Sequence, residues 1–327
     1  MKAARITRFG GPEVLEVVDV PAPVPSAAAG EVLVRVHASA LNRADILQRK
    51  GQYPAPPGAP ADIPGMEIAG EVVEAGGAWR TGERVFGVVG GGGNAEYCVT
   101  HASHLARIPD ALSWEQAAAV PEAFITAHDA LITRAEFRRG ERVLVHAAGS
   151  GVGLAAGQLV RALGGVCYGT ARTRDKTERA REFGFAECAV VGDDLGALEA
   201  AVKVWTKGEG VDVVLDLVGG PYLPVNVDCA APRGRIVLIG LMAGRSATLD
   251  LGKILNKRIT IRGTMLRGRS IEEKADATAG FAKDVLPLLE RGVVRPVVDR
   301  VLPLGQIAEA HRLLESNATF GKVVLVH

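Results

Sequence analysis

Short stretches in which polar and apolar residues alternate, separated by glycine and proline, fill the first hundred positions: 3–8, 15–20 and 31–38, then 68–74, 84–89 and 95–99. A period of two puts alternate side chains on opposite faces of a strand, so this part of the chain predicts a mostly antiparallel β lobe. The glycine run Gly90 to Gly93 turns the chain between two of these strands. The segment Tyr53 to Pro64 carries too much proline for a helix or a central strand, and predicts an irregular surface loop of the kind that lines sites.

The pattern changes at Ser113. Ser-Trp-Glu-Gln followed by an alanine-rich run is a helix start, with Ser113 as the capping residue and Gln116 three positions on. From Arg142 onward, continuously apolar strands alternate with helices. The predicted strands are 143–146, 166–171, 187–191, 211–217, 235–239 and 259–264, with helices at 151–163, 175–183, 195–206 and 221–230 between them. Strands without alternation are buried on both faces, which predicts a parallel sheet covered by helices, a doubly wound α/β lobe. The last pieces, a helix at 270–291, a strand at 297–302, a helix at 306–315 and a strand at 322–326, resemble the first lobe and are expected to return to it. The expected domains are therefore 1–124 with 268–327, and 125–267.

The first strand of the second lobe runs into Ala147-Ala148-Gly149-Ser150-Gly151-Val152-Gly153 and then into a helix rich in alanine and leucine. Small residues at such a turn let the backbone approach a pyrophosphate, which the free N–H groups and the positive end of the helix attract. The G-x-G-x-x-G pattern is incomplete, because Ala148 and Ser150 stand where its first two glycines fall and only Gly153 keeps its place. A tight turn without a ligand is the competing reading. The position of the turn at the head of a βα series favours a dinucleotide site.

About twenty residues on, an acid at the end of the second strand would mark NAD by holding the ribose hydroxyls. Here the chain reads Ala171-Arg172-Thr173-Arg174-Asp175-Lys176, with no acid at the tip. Arg172, Thr173 and Lys176 offer positive charge and a hydroxyl to a 2′-phosphate, which points to NADPH; the alternative is that they are solvated residues at a helix start.

Composition narrows the class. Lys plus Arg (38) nearly cancel Asp plus Glu (37), a balance that argues against a nucleic-acid partner. The 5% aromatic content leaves few residues for base stacking. The N-terminal residues hold no apolar core of signal-peptide length, and there is no apolar run of about 18 residues, so neither export nor a membrane span is expected and a cytoplasmic location is the default. Cys98, Cys167, Cys188 and Cys229 form no CxxC pair and fit neither a disulfide framework nor a cysteine-rich zinc site.

The segment Ser39-Ala40-Leu41-Asn42-Arg43-Ala44-Asp45 through Gly51-Gln52-Tyr53-Pro54 resembles the substrate-site signature of the zinc-independent, zeta-crystallin-like quinone oxidoreductases of the medium-chain dehydrogenase/reductase superfamily. The likeness extends to Ile63-Pro64-Gly65-Met66-Glu67, the run from Ala117 to Ala127, the loop Ala147 to Gly153, Asp216 to Gly220, Gly240-Leu241-Met242 and Gly321 to Leu325. Within the family the chain is most similar to the branch containing the tumour-suppressor-inducible quinone reductase. The resemblance implies a GroES-like, mostly antiparallel β catalytic domain beside a Rossmann domain. It implies that Asn42 and Tyr53 line the substrate cleft and that Thr126 touches the nicotinamide. The loop Ala148, Gly149, Ser150, Gly151, Val152 and Gly153 would hold the pyrophosphate, Leu241 and Met242 would lie against the cofactor, and Thr173 and Lys176 would meet the 2′-phosphate. Two departures bear on that phosphate: Val190-Val191 stand where the family often has Asn-Tyr, and Asn317 where it often has Arg.

Alcohol dehydrogenases of the superfamily polarise an alkoxide with zinc. By resemblance, Asn42 stands in the place of a cysteine ligand and Met66 in that of a histidine ligand, and the cysteine-rich structural lobe is absent. A metal-free enzyme is expected. Cys98 is read as a small buried residue and His146 as a hydrogen-bonded histidine closing a strand. Without a metal, a quinone or enone is a better acceptor than a ketone, since it spreads the incoming charge onto oxygen. Asn42 is expected to donate its amide to that oxyanion and Tyr53 to orient the carbonyl, with packing of the proline loop as the other reading for Tyr53. Asp45 and Arg49, four residues apart, are expected to pair on a helix surface. The alternatives in function are a reductase of alkenals, enones or enoyl thioesters, and, in another class, a low-turnover nucleotide- or RNA-binding protein. A homodimer or a dimer-based oligomer is expected, with the strand at 258–264 pairing across a two-fold axis.

Overall fold

The computed structural model of the chain describes residues 1–192 and 195–327, and the counts below are of these residues. The chain forms two units, Met1–Ile125 with Leu266–His327, and Thr126–Met265.

The first unit is built on a seven-stranded mixed sheet with Glu31–Ala40 as its hub. Val32, Val34 and Val36 point one way from this strand and pack with Ile68, Val72 and Val85, the outcome the two-residue period predicts. The hub pairs antiparallel with Glu67–Glu74, with Tyr97–His101 and with the C-terminal strand Lys322–Val326. Register does the positioning. Ile68 lies opposite Ser39, and Val324 opposite Ala40, so Glu67 and Lys322 both arrive beside the chain as it leaves the hub at Leu41 and Asn42. A two-stranded sheet, Lys2–Ile6 with Leu15–Asp19, completes the β structure of this unit. The loop from Tyr53 to Pro64 carries neither helix nor strand, as its prolines dictate.

The second unit is a six-stranded parallel sheet in the order Phe185–Val190, Val166–Ala171, Arg142–Val145, Val211–Asp216, Ala230–Leu238, Thr260–Gly263. Counted along the chain this is 3-2-1-4-5-6, the dinucleotide-binding order, with its crevice where the order reverses. Val143, Leu144 and Val145 are all fully buried, as a strand covered on both faces must be. The two expected architectures are present.

Several local expectations differ from what is observed. The helix expected at 270–291 is two helices, Ile271–Asp284 and Leu286–Glu290, because Pro287 has no N–H to donate and its ring disfavours a continuous turn. The strand expected at 258–264 is shorter, Thr260–Gly263, since Arg258 adopts a left-handed φ of 56° to end the helix Leu251–Lys257. Asp45 and Arg49 form no surface pair. They lie on the short helix Arg43–Arg49 with both side chains fully buried. Asp45 accepts from the backbone N–H groups of Asn42 and Gly65, while Arg49 donates to the Gly10 carbonyl and pairs with Glu315. Spacing on a helix shows which residues are neighbours, not which face is covered by other segments.

Candidate active site

Asn42 caps the helix Arg43–Arg49 just beyond the hub strand, and its backbone N–H donates to Asp45 Oδ2 at 2.7 Å. Its side chain is tied on both ends. Oδ1 accepts from Lys322 Nζ at 2.6 Å, and Nδ2 donates to Glu67 Oε1 at 2.8 Å and to the Ala40 carbonyl at 3.3 Å. Lys322 also donates to the Leu41 carbonyl and lies 2.6 Å from Glu67 Oε1. Glu67 Oε2 accepts the backbone N–H of Glu122 at the start of the helix Pro121–His128, where the helix end favours negative charge. Glu67 is therefore a fully supported carboxylate, and Lys322 a buried cation beside it. The expectation that Asn42 donates to an acceptor oxygen needs correction in this arrangement, because both of its amide hydrogens already have partners. Sequence reading missed Glu67 and Lys322 as charged members of the site; the strand register that joins them to Asn42 is long-range and has no local signal.

Two further carboxyl groups lie here. Asp45 Oδ1 accepts from Gly65 N, and Gly65 has a φ of 108°, where an added Cβ would meet Asn94 N at 2.3 Å, so glycine is required for this approach. Burial pushes the Asp45 carboxyl up to about 6, against the two backbone N–H bonds that favour its ionised form. Glu122 is half-buried, and its Oε2 is sealed from solvent without a hydrogen-bond partner among the described residues. Burial, and then the neighbouring Glu67 carboxylate, push Glu122 up to about 7.

Tyr53 stands on the proline loop, half-buried, with its ring 5.3 Å from the guanidinium carbon of Arg267. Arg267 is buried; it donates to the Gly90 carbonyl at 2.8 Å and to Gln48 Oε1 at 2.6 Å, and its Nη1 has no partner among the described residues. Burial raises the Tyr53 phenol above its ordinary value, so it stays a protonated donor through the neutral range. Arg267 has no sequence signal beyond its charge.

In the second unit, the loop from Ala147 to Gly153 joins the strand Arg142–Val145 to the helix Gly151–Ala162. Ala147 adopts a left-handed φ of 53°, an unfavourable conformation for a side-chain-bearing residue. Ser150 caps the helix by accepting from Gly153 N at 3.0 Å, and Ala148 N donates to the Thr170 carbonyl. A Cβ on Gly153 would meet the Ala147 carbonyl oxygen at 2.5 Å, so the third glycine is needed for helix and strand to pack closely. The first-turn N–H groups of the helix are the ones that intrahelical bonds leave over. Arg172 and Thr173 are exposed at the tip of Val166–Ala171, with Thr173 capping the next helix through Lys176 N at 3.5 Å, and Arg174 beside Glu178 at 3.3 Å. Leu241 and Met242 are about half exposed after the strand Ala230–Leu238. Thr126 Oγ1, 6% exposed as a residue, has no hydrogen-bond partner among the described residues. This orphaned hydroxyl and the glycine cradle fit a nicotinamide dinucleotide. His146 is buried with both ring nitrogens bonded, to Thr170 Oγ1 at 2.9 Å and Asn226 Oδ1 at 2.7 Å, and burial lowers its pKa. Cys98 is likewise buried, and burial pushes its thiol up to about 12. Both are structural.

Comparison with known proteins agrees with this layout. Residues 28–110 match the alcohol dehydrogenase GroES-like domain, and residues 151–281 match the zinc-binding dehydrogenase family. A quinone oxidoreductase of Pseudomonas aeruginosa is 35% identical over 329 residues, 99% of each chain, and one of Lama guanicoe is 32% identical over 333 residues, covering 100% of this chain and 97% of its own. Among solved structures, a mycobacterial protein complexed with NADPH superposes with a TM-score of 0.90 at 30% identity over the full length of both chains. An NAD-dependent alcohol dehydrogenase does so with 0.86 at 33% identity, again over both full lengths, and the CurK enoyl reductase with 0.84 at 25% identity, covering 99% of this chain and 98% of its own. The chain is an oxidoreductase with a nicotinamide-dinucleotide domain, and it belongs to the quinone oxidoreductase family of the medium-chain dehydrogenase/reductase superfamily.

Proposed function

We propose that the chain reduces quinones and related conjugated carbonyls with NADPH and without a metal ion. The observation that carries this is the ammonium of Lys322, set 2.6 Å from both Glu67 and Asn42. Asn42 and Met66 stand, by resemblance, at the places where metal-dependent relatives have ligands; an amide with both ends bonded and a thioether are poor zinc donors. A fixed cation already pairs with the Glu67 carboxylate there. The electrostatic task of a metal is thus reduced to the field of a buried ammonium, enough for an acceptor that delocalises charge and too little for an ordinary ketone.

NADPH, when bound, supplies hydride from its nicotinamide ring. Thr126 offers its unspent hydroxyl to that ring, and Ala148, Gly149, Ser150, Gly151, Val152 and Gly153 hold the pyrophosphate. Arg172, Thr173 and Lys176 face the 2′-phosphate, a preference supported by the acid-free strand tip, and Leu241 and Met242 shield the cofactor. Tyr53 donates its hydroxyl to the acceptor carbonyl, with Arg267 holding the ring from the other side. Asn42 acts by orienting Lys322 rather than by donating to the acceptor.

Reduction of enones or enoyl thioesters is the second reading, favoured by the similarity to an enoyl reductase. The test is a rate panel of quinones, enones and an enoyl thioester with NADPH and NADH. Fastest turnover of a quinone with NADPH is expected, and exclusive use of an enoyl thioester would reassign the acceptor. We propose a homodimer formed through the outer strand Thr260–Gly263, whose flanking Leu255 and Met265 are 75% and 53% exposed. No helix among the described residues is long and apolar enough to cross a membrane.

A further inference from the structure

Hydride transfer to a carbonyl leaves a negatively charged oxygen, and a proton must come from somewhere. Three carboxyl groups and two cations occupy the polar site of the first unit: Asp45, Glu67 and Glu122, with Lys322 and Arg267. They are not equivalent. Glu67 accepts from an ammonium, a side-chain amide and a backbone N–H, three donors on its two oxygens. Asp45 accepts from two backbone N–H groups. Glu122 has one side-chain oxygen sealed from solvent without a partner among the described residues, and its own backbone N–H donates to the Glu67 carboxylate. Paired acids whose surroundings differ in this way divide the labour, one staying ionised and the other keeping a proton.

Resting on the quinone-reductase reading above, we propose that Glu122 is the general acid of the reduction, giving its carboxyl proton to the oxygen of the acceptor. The acceptor takes the hydride with both bonding electrons, and the carbonyl π pair moves through the conjugated system onto oxygen. The O–H bond of Glu122 then breaks, leaving its electron pair on the carboxylate, and a new O–H bond forms on the acceptor. Water returns a proton to Glu122 before the next turnover. Glu122 is half-buried rather than closed off, which leaves it a route to solvent. The Glu122 carboxyl contributes to raising the Tyr53 phenol, so the two groups share one electrostatic environment.

The groups facing Glu122 set the pH window. Glu67 from the strand Glu67–Glu74 and Asp45 from the helix Arg43–Arg49 favour its protonated form, whereas Lys322 from the C-terminal strand and Arg267 favour ionisation. Burial is the largest influence, and with the two carboxylates it prevails over the two cations, so the acid form persists up to about pH 7.

The experiment is the pH dependence of kcat for the whole protein and for E122Q and E122D, with a quinone as acceptor and NADPH saturating. The wild-type kcat is expected to fall as pH rises through about 7. E122Q is expected to lose about tenfold or more below that pH, with a flat profile and an unchanged KM for NADPH. E122D is expected to recover part of the rate and to shift the limb. Should E122Q not fold, E122D alone decides, since a profile identical in rate and limb to wild type overturns the proposal. Unchanged kcat and pH limb in E122Q, in a protein that still reduces quinones, overturns the general acid and leaves the quinone-reductase reading standing. Absence of quinone turnover in the wild type overturns that reading and this proposal together.

Discussion

Lys322 Nζ sits 2.6 Å from Glu67 Oε1, with the two side chains 6% and 0% exposed, so the site is organised around an ion pair that water barely reaches. Breaking such a pair costs more than making it gains, because the remaining charge is left without a partner. Lys322→Met should therefore lower stability by roughly 3–5 kcal/mol. Adding Glu67→Gln should recover part of the loss, because it removes the orphaned charge. Urea unfolding of the two single variants and the double variant measures this. Additive losses would show that the residues do not act as a pair.

Tyr53 and Asn42 are predicted to fail differently. Tyr53→Phe keeps the ring over Arg267 and loses only the hydroxyl, so kcat should fall several-fold to about tenfold with thermal stability unchanged. Asn42→Ala leaves Lys322 and Glu67 each short of one bond, so it should lower both kcat and the melting temperature. Single-turnover hydride transfer, followed by NADPH absorbance beside a melting curve, separates the two. Wild-type hydride transfer in both variants would return the proline loop to a packing role.

Cofactor preference is tested by Arg172→Ala with Lys176→Ala. The apparent KM for NADPH should rise tenfold or more, about 1.4 kcal/mol, and that for NADH should barely move. Equal losses with both cofactors would mean that these residues support the fold of the strand tip and not a phosphate.

Acid sensitivity follows from four histidines, one of them His146, which burial also lowers. Burial lowers His311 to about 3, and His104 and His327 to about 4, each from an ordinary value of 6.5. Their folded-state values are depressed, so the unfolded chain binds more protons below pH 6.5. Their contribution is full above that value and is lost as pH falls toward 4. Asp45 and Glu122, whose values are raised, act in the opposite direction, so the histidine effect is read as a difference: urea unfolding at pH 7.5, 6 and 5 should show a more favourable change in stability on acidification in His311→Asn than in the wild type, if that variant folds. The same pH dependence in His311→Asn as in the wild type would contradict the buried, neutral state of that ring.

Both layers of the fold were legible in the sequence because each rests on local signals: period two in 31–38, continuous apolar runs such as 143–146, and the Ser113 capping box, observed with Gln116. The dinucleotide turn was legible for the same reason. The charged half of the candidate site was not. Asn42 and Tyr53 were singled out as candidates, but their neighbours Lys322 and Arg267 come from more than two hundred positions away, and only strand register brings Lys322 to Asn42. Asp45 and Arg49 misled in the other direction: their i,i+4 spacing is the same on an exposed and on a buried helix, and only tertiary packing decides between the two.

The central claim, a quinone reductase in which the field of a buried ammonium stands in for a metal, is tested most directly by turnover of a quinone with NADPH before and after exhaustive chelation, with elemental analysis of the same sample. The expected result is an unchanged rate and no stoichiometric zinc. A tightly bound zinc whose removal abolishes turnover and whose return restores it would contradict the account.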